Sequence, residues 1–583
     1  MCNPEACFSR KGRRRVDSRH GEKARERAER GRGFPFWLPA VAAFLLLCAV
    51  ALPAQEFLPE EDPDAARINA WIAPQDDRGA PLTLIGRYED VWDIEDTHQE
   101  EPGIVHHMFA GKAMLGEDAA QRIFYCALGP GLTDAWPELA LSAAGEEGLQ
   151  AALLDDYRTD DCSLAVREGY SYNAIAWTDT AYEYVKIVFT GLPVVSVRTE
   201  ETPIGDSYIP AEVHIAAGAE DAFQTRAAIH TRGGGFYRGI DKFSYRLEFR
   251  TLNKHGREVR RTASVLGMEA DTDWLLVGNP FDETAVRNQL CWELWRDWTQ
   301  GRGINVLESR LCELFLNGEY QGLYQIMQRI DPEKELAKMG GSPQTDIVGR
   351  YIRPNNKGWR PRQMRSEYMI ELRSWPEGME EEEAFAAFED LIRIREQSGG
   401  LEDPEAFAAL VQQRFDMADL MDFFLFTQAT SLGMDNVNNN VWLWALRQPD
   451  GGLRYRLSPW DMDAGFLRIH TALDGSTEDE LNMWMTWINR VLNRNIGNSR
   501  ALLAAEWAEK RGGVLSNDAL YERISEMEER VNASGAYLRE TEKWRGGGIP
   551  LDLENMKSQA LEHMDTIQYY LDIIWGEDDP IYN

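Results

Sequence analysis

At 583 residues the chain exceeds what one hydrophobic core organises, so two or more domains are expected. Its 96 Asp and Glu against 62 Lys and Arg leave a net charge of −34. That balance excludes a nucleic-acid binder, whose affinity depends on neutralising phosphates with basic side chains, and it favours solubility outside the cell.

The basic residues gather at the start, where residues 1 to 54 hold eleven Lys/Arg and five Asp/Glu. From Phe34 to Gln55 no side chain is charged. A positive flank ahead of an apolar run sets an N-in orientation and exports the rest of the chain. Ala49-Val50-Ala51 offers a small-x-small cleavage site, while the long basic flank and near-spanning length favour a retained anchor. Residues 1–55 are therefore read as a basic leader plus signal peptide or membrane anchor. The expected location is extracytoplasmic, membrane-anchored or secreted. Residues 56–66, acidic and proline-containing, read as a linker.

Residues 67–190 show short strand-like runs between Gly, Pro and Asp clusters: Leu82 to Ile85, Ile123 to Leu128, Ile175 to Trp177 and Val185 to Thr190. They predict a small β-rich module. Adjacent His106 and His107 point to opposite faces of a strand and read as surface residues rather than a metal pair. Outside the leader the cysteines are Cys126, Cys162, Cys291 and Cys312. Export permits Cys126–Cys162 and Cys291–Cys312 disulfides, and buried free thiols are an equal option for the second pair. With no C-x-x-C and no H-E-x-x-H, zinc chemistry is not expected.

From residue 191 the pattern becomes mixed. Ala211 to Ile215 and Arg226 to His230 alternate like strands, Tyr245 to Phe249 and Trp274 to Val277 read as further strands, and Asp282 to Asp297 is predicted helical. Between the second and third of these strands lie Arg232, Gly233, Gly234 and, at the next strand's start, Lys242. A glycine-rich connection lets backbone N–H groups approach an anion and the Lys adds a point charge; a flexible hairpin with a solvated Lys is the equal alternative. Glu313 to Tyr324 forms a hairpin around Asn317-Gly318. Residues 332–366 read as a long surface excursion, Pro404 to Leu432 as one helix, and 499–576 as largely helical.

Asp435 is followed five positions later by Asn440, and Pro459-Trp460-Asp461-Met462-Asp463 comes next. Val441 to Trp444 and Leu453 to Leu457 read as strands joined at Gln448 to Gly452, so the hairpin returns the second acidic segment beside the first. A loop Asp, an Asn at i+5 and a later carboxylate are the parts that orient a hydroxyl and hold Mg²⁺ on ATP. D-x-x-x-x-N alone is a weak signal, since both residues also cap turns.

Taken together, Arg232-Gly233, Lys242 to Phe249, Asp273-Trp274 through Asp282 and Arg287-Asn288, Leu316 to Tyr324, Asp435 to Asn440 and Pro459 to Asp463 resemble, in order, the CotH family of spore-coat protein H kinases. The resemblance implies an α+β fold: an atypical protein-kinase-like domain over 191–583 with a helical C-terminal part, preceded by the β-rich module. It also implies ATP- and Mg²⁺- (or Mn²⁺-) dependent phosphorylation of Ser or Thr on a protein substrate. Lys242 would meet the nucleotide phosphates, Arg232, Gly233 and Gly234 would cover them, and Asp435 would orient and deprotonate the acceptor hydroxyl. Asn440 with Asp461 or Asp463 would hold the metal. Two departures stand out: glycines follow Arg232 where the family has polar residues, and Gln328 stands where a Glu would pair with the nucleotide Lys. A pseudokinase, or a surface structural or adhesion protein, is the alternative.

Overall fold

The computed structural model describes residues 79–129, 136, 141–145, 148–199, 204–233, 241–300, 302, 304, 306–351, 364–365, 370–396, 403–432, 440–466 and 483–573. Within 79–190 a four-stranded and a seven-stranded sheet form, together with the helices Tyr88–Thr97 and Cys162–Arg167. The strand Ala181–Thr190 pairs antiparallel with Ser171–Trp177 and parallel with Ile123–Ala127, over a core containing Phe124, Tyr172, Ile187 and Phe189. His106 is exposed, whereas both ring nitrogens of His107 face Arg198 at 3.0–3.1 Å. Cys126, Cys162, Cys291 and Cys312 are all buried and free, so neither expected disulfide forms.

The second block begins with β1 (Val194–Thr199), β2 (Ile209–Ala216), β3 (Ala222–Arg232), β4 (Ser244–Leu252), β5 (Glu258–Arg260), β6 (Asp273–Val277), β7 (Ser309–Leu316) and β8 (Glu319–Gln328). Their order is β3-β2-β1-β7-β8-β6-β4-β5, and a further β3–β4 pairing closes seven of them into a ring. Period-2 alternation explains the closure. In β4, Tyr245, Leu247 and Phe249 point into a shared interior with Trp274, Leu276 and Leu314, while Arg246, Glu248 and Arg250 point out. At the β7–β8 turn Asn317 and Gly318 take positive φ of 53° and 74°, as an Asn-Gly hairpin requires.

A second sheet has the order β10-β11-β9-β12-β13, built from β9 (Ile347–Tyr351), β10 (Met364–Arg365), β11 (Ile370–Ser374), β12 (Val441–Arg447) and β13 (Leu453–Pro459). Helix α1 (Arg287–Trp298) joins the two sheets: Trp292, Trp295 and Trp298 share one core with Leu275, Val277 and Met327 of the first sheet and with Leu443 and Trp444 of the second. Truncating any of these tryptophans to Ala would cost about 3–5 kcal/mol. The described residues belong to one compact unit that starts at Pro63.

Several sequence expectations change. The helix expected from Asp282 starts at Arg287, because the Asp282 carboxylate accepts from the backbone N–H of Thr284 and Arg287 and holds a tight turn ahead of it. The single helix over Pro404 to Leu432 is two, Pro404–Arg414 and α2 (Met417–Ala429), because Phe415 and Asp416 are extended and Asp416 caps the second. The surface excursion contains the helix Pro332–Lys338 and the strand β9. The C-terminal helical region is as expected: Ser499–Arg511, then α3 (Asn517–Ala533), α4 (Ala536–Arg545) and α5 (Glu554–Ile573).

Candidate active site

Lys242 lies two residues before β4, and its side chain is only 6% exposed. Its ammonium donates to the Leu323 carbonyl at 2.9 Å and meets the Glu540 carboxylate of α4 at 2.6 Å. The other Glu540 oxygen accepts from the Leu323 backbone N–H at 2.8 Å. Gly322 makes room for this contact: its φ is +98°, and a Cβ there would run into the Glu540 carboxylate and the Trp544 indole. Burial pulls the Lys242 pKa below its ordinary value, and Glu540 pushes it back. The ammonium also sits 5.1 Å from the Tyr324 ring centre, and the Tyr324 hydroxyl donates to the Phe243 carbonyl beside it.

A second buried pair holds α4 in place. Arg539 donates twice to Glu313 of β7, both at 2.8 Å, and the Tyr320 hydroxyl donates to the same carboxylate at 2.7 Å. Trp544 Nε1 donates to the Gln321 carbonyl. Helix α4 is thus tied along the β7–β8 hairpin, and the register of those ties sets where Glu540 falls.

On the second sheet Asn440, just before β12, donates through its amide to Asp461, just after β13, at 3.3 Å. Hairpin pairing of Val441 with Pro459 brings the two together. Asp461 is exposed and adopts φ +60°. The loop after it is pinned by α1: the Met462 N–H donates to the Asn288 side chain at 2.9 Å, and Arg287 bridges Asp282 to the Gly465 carbonyl. Asn288 is oriented in turn by Gln325, itself held by Gln289. Asp463 instead lies close enough to the buried Cys291 thiol to help push its pKa up, behind burial itself.

Arg232, the last residue of β3, pairs in register with Ser244 and so stands beside the Lys242 strand. Its guanidinium lies 5.7 Å from the Trp460 ring centre. Desolvation lowers its pKa to about 10, and Asp461 opposes that shift, so the arginine and the acidic loop face each other. Gly233 comes next, with φ +86° and open space where a Cβ would point. Gly234 and Asp435 lie outside the described residues.

Compared with known families, the chain matches the CotH kinase protein family over residues 229–572. It belongs to the CotH kinase family. No curated protein matches it. The CotH match runs through α4, so Glu540 falls within the family region although sequence reasoning assigned it no role. The carboxylate that meets Lys242 comes from Glu540 and not from position 328. Gln328 accepts from the Glu308 N–H and donates to the Glu269 carbonyl, five residues along the strand from the Lys242 contact. Glu540 was missed because α4 carries Glu540 and Glu542 on a polar helix, and nothing local separates them. The roles of Arg287 and Asn288 were also unassigned, although both lie in the ordered motifs.

Proposed function

We propose that this CotH-family protein transfers the terminal phosphoryl group of ATP, with Mg²⁺ or Mn²⁺, to Ser or Thr hydroxyls of an exported or envelope protein. The observations that carry this reading are the buried Lys242–Glu540 pair and the Asn440–Asp461 pair, linked by Arg232, which ends the strand beside Lys242 and faces Asp461. A lysine held by a glutamate from a packed helix, together with an Asn and an Asp brought side by side by a hairpin, supplies the parts a kinase uses on nucleotide and metal. It also weakens the pseudokinase alternative, since the partner absent at Gln328 is supplied by Glu540.

The donor set suits the metal. Mg²⁺ takes hard oxygen ligands, needs few from the protein and completes its shell with water and phosphate oxygens. The Asp461 carboxylate and, after an amide rotation, the Asn440 carbonyl oxygen would supply two. The ion would neutralise charge on the phosphates. In the proposed reaction the acceptor oxygen forms a bond to the terminal phosphorus, the bond to the ADP oxygen breaks, and Asp435 takes the hydroxyl proton. Lys242 and Arg232 hold phosphate oxygens, and Arg287 and Asn288 keep the Asp461 loop in position.

The uncharged run from Phe34 to Gln55 supports an extracytoplasmic location, anchored or secreted. Nucleotide is scarce there, so occupancy demands tight binding. Intact-mass measurement of the purified chain after incubation with ATP and either metal tests the reading. A phosphate adduct supports it, and an adenylate adduct reassigns the group transferred. No adduct together with no nucleotide-dependent thermal shift would leave a surface structural protein.

A further inference from the structure

The cleft gathers arginines in a chain whose net charge is −34. On the wall of the first sheet Asp273 of β6 is shared by three: Arg246 at 2.9 Å, Arg260, and Arg329 at 3.7 Å. On the wall of the second, Glu371 of β11 is shared by Arg350 at 2.9 Å and Arg373 at 2.8 Å. Arg260 also reaches Glu248 at 3.7 Å, which leaves two carboxylates serving four guanidiniums that show no other ion pair among the described residues. The walls meet at Trp460: Arg232 of the first lies 5.7 Å from its ring centre, and Trp460 packs 6.4 Å from Trp442, whose ring carries Arg373 at 5.4 Å, in keeping with the electrostatic reach of Arg329 to Arg373.

This surplus exceeds what a nucleotide needs. Arg232 and Arg350 sense Asp461 and belong with the phosphates and metal. Arg329 and Arg373 have side chains 28% and 25% exposed, and each is the dispensable partner of a carboxylate that another arginine already holds. Forked donors spaced across a cleft match carboxylate or phosphate oxygens. We infer that the acceptor is an acidic segment, with Asp, Glu or phosphorylated side chains beside its Ser or Thr, gripped between Arg329 on one wall and Arg373 on the other. The inference rests on the kinase reading for its acceptor and adds the substrate's charge.

The test uses the full chain and three fluorescent peptides with one central Ser flanked by Glu, Gln or Lys. Binding is read by anisotropy and transfer by incubation with Mg²⁺-ATP. The Glu peptide should bind at least tenfold more tightly than the Gln peptide, and the Lys peptide should not bind. The Arg329→Gln/Arg373→Gln variant should lose most of that preference while keeping its thermal melt and its ATP-induced stabilisation. Should the double variant not fold, Arg373→Gln alone, with Glu371 still held by Arg350, should lose part of it. Equal binding of the three peptides, or a preference that survives these substitutions, overturns the inference. Transfer to peptides regardless of flanking charge overturns it and leaves the kinase reading standing. Arginine-dependent binding of the Glu peptide without transfer does the reverse.

Discussion

Replacing Glu540 by Gln removes one charge from a pair whose side chains are 6% and 3% exposed, and leaves the Lys242 ammonium buried against the Leu323 carbonyl. Breaking a buried pair from one side costs about 3–5 kcal/mol, because the remaining charge stays desolvated. Gln keeps the shape but has one acceptor oxygen where the carboxylate uses two, so it keeps the bond from Lys242 or from the Leu323 N–H and turns its amide N–H donors toward the other; the expected loss spans the full range, about 3–5 kcal/mol. Lys242→Met alone strands the carboxylate, whereas Lys242→Met/Glu540→Gln strands no charge and should recover a coupling of about 2–3 kcal/mol. Urea titrations monitored by tryptophan fluorescence give the four free energies. The sign with pH is set by Lys242, whose pKa in the folded protein is already below its ordinary 10.5 because of burial and loses the upward push of Glu540 in Glu540→Gln. The folded variant then sheds its proton before the unfolded chain does, so its stability deficit should shrink as pH rises from neutrality toward 10.5. ATP-induced stabilisation should fall in both single variants. A Glu540→Gln protein within about 0.5 kcal/mol of wild type, with additive single and double effects, would refute the account of the pair.

The two acidic positions should fail differently. Asp435→Asn should keep nucleotide binding and lower turnover by roughly 10² to 10⁴ through loss of the general base, whereas Asp461→Asn should raise the Mg²⁺ concentration required and weaken nucleotide binding. Titrating phosphate transfer with Mg²⁺ separates them; wild-type activity in both sinks the assignment, and a loss confined to Asp463→Asn moves the metal role two residues along. Gly322→Ala combines a φ of +98° with a collision against the Glu540 carboxylate and should cost on the order of 1–3 kcal/mol in urea, with weaker ATP binding. Asn288→Ala leaves the Met462 N–H without its acceptor, and should cost roughly 1–3 kcal/mol and raise the Mg²⁺ requirement through a displaced Asp461. Fractionated cells should carry the protein in the membrane or outside it, and full-length chain recovered in the cytosol would count against export.

Much of the molecule was legible because it is local. Alternating runs marked β2, β3, β4 and β13 and continuous apolar runs marked β6 and β12; Asn317-Gly318 marked the hairpin; and the hairpin from Val441 to Pro459 implied that Asn440 and Asp461 meet, as they do at 3.3 Å. Each signal is carried by residues whose spacing the backbone itself enforces. The break at Phe415 and Asp416 escaped because apolar periodicity continues across it; Cys291 and Cys312 stay single because they pack in different cores, while Cys126 and Cys162 share one core and are still both free. The choice of Asp461 over Asp463 as the residue facing Arg232 was beyond an alternating D-x-D, because the φ of +60° at Asp461 and the Asn288 contact behind it depend on helix α1. Most of all, Lys242 and Glu540 are 298 residues apart. The sequence determined that a lysine ends the glycine-rich connection; only the docking of α4 along β7 and β8, through Arg539 and Glu313, decided which glutamate of a polar helix meets it. Buried charge is costly unless paired, so the pairing is written in packing and not in any short stretch of chain.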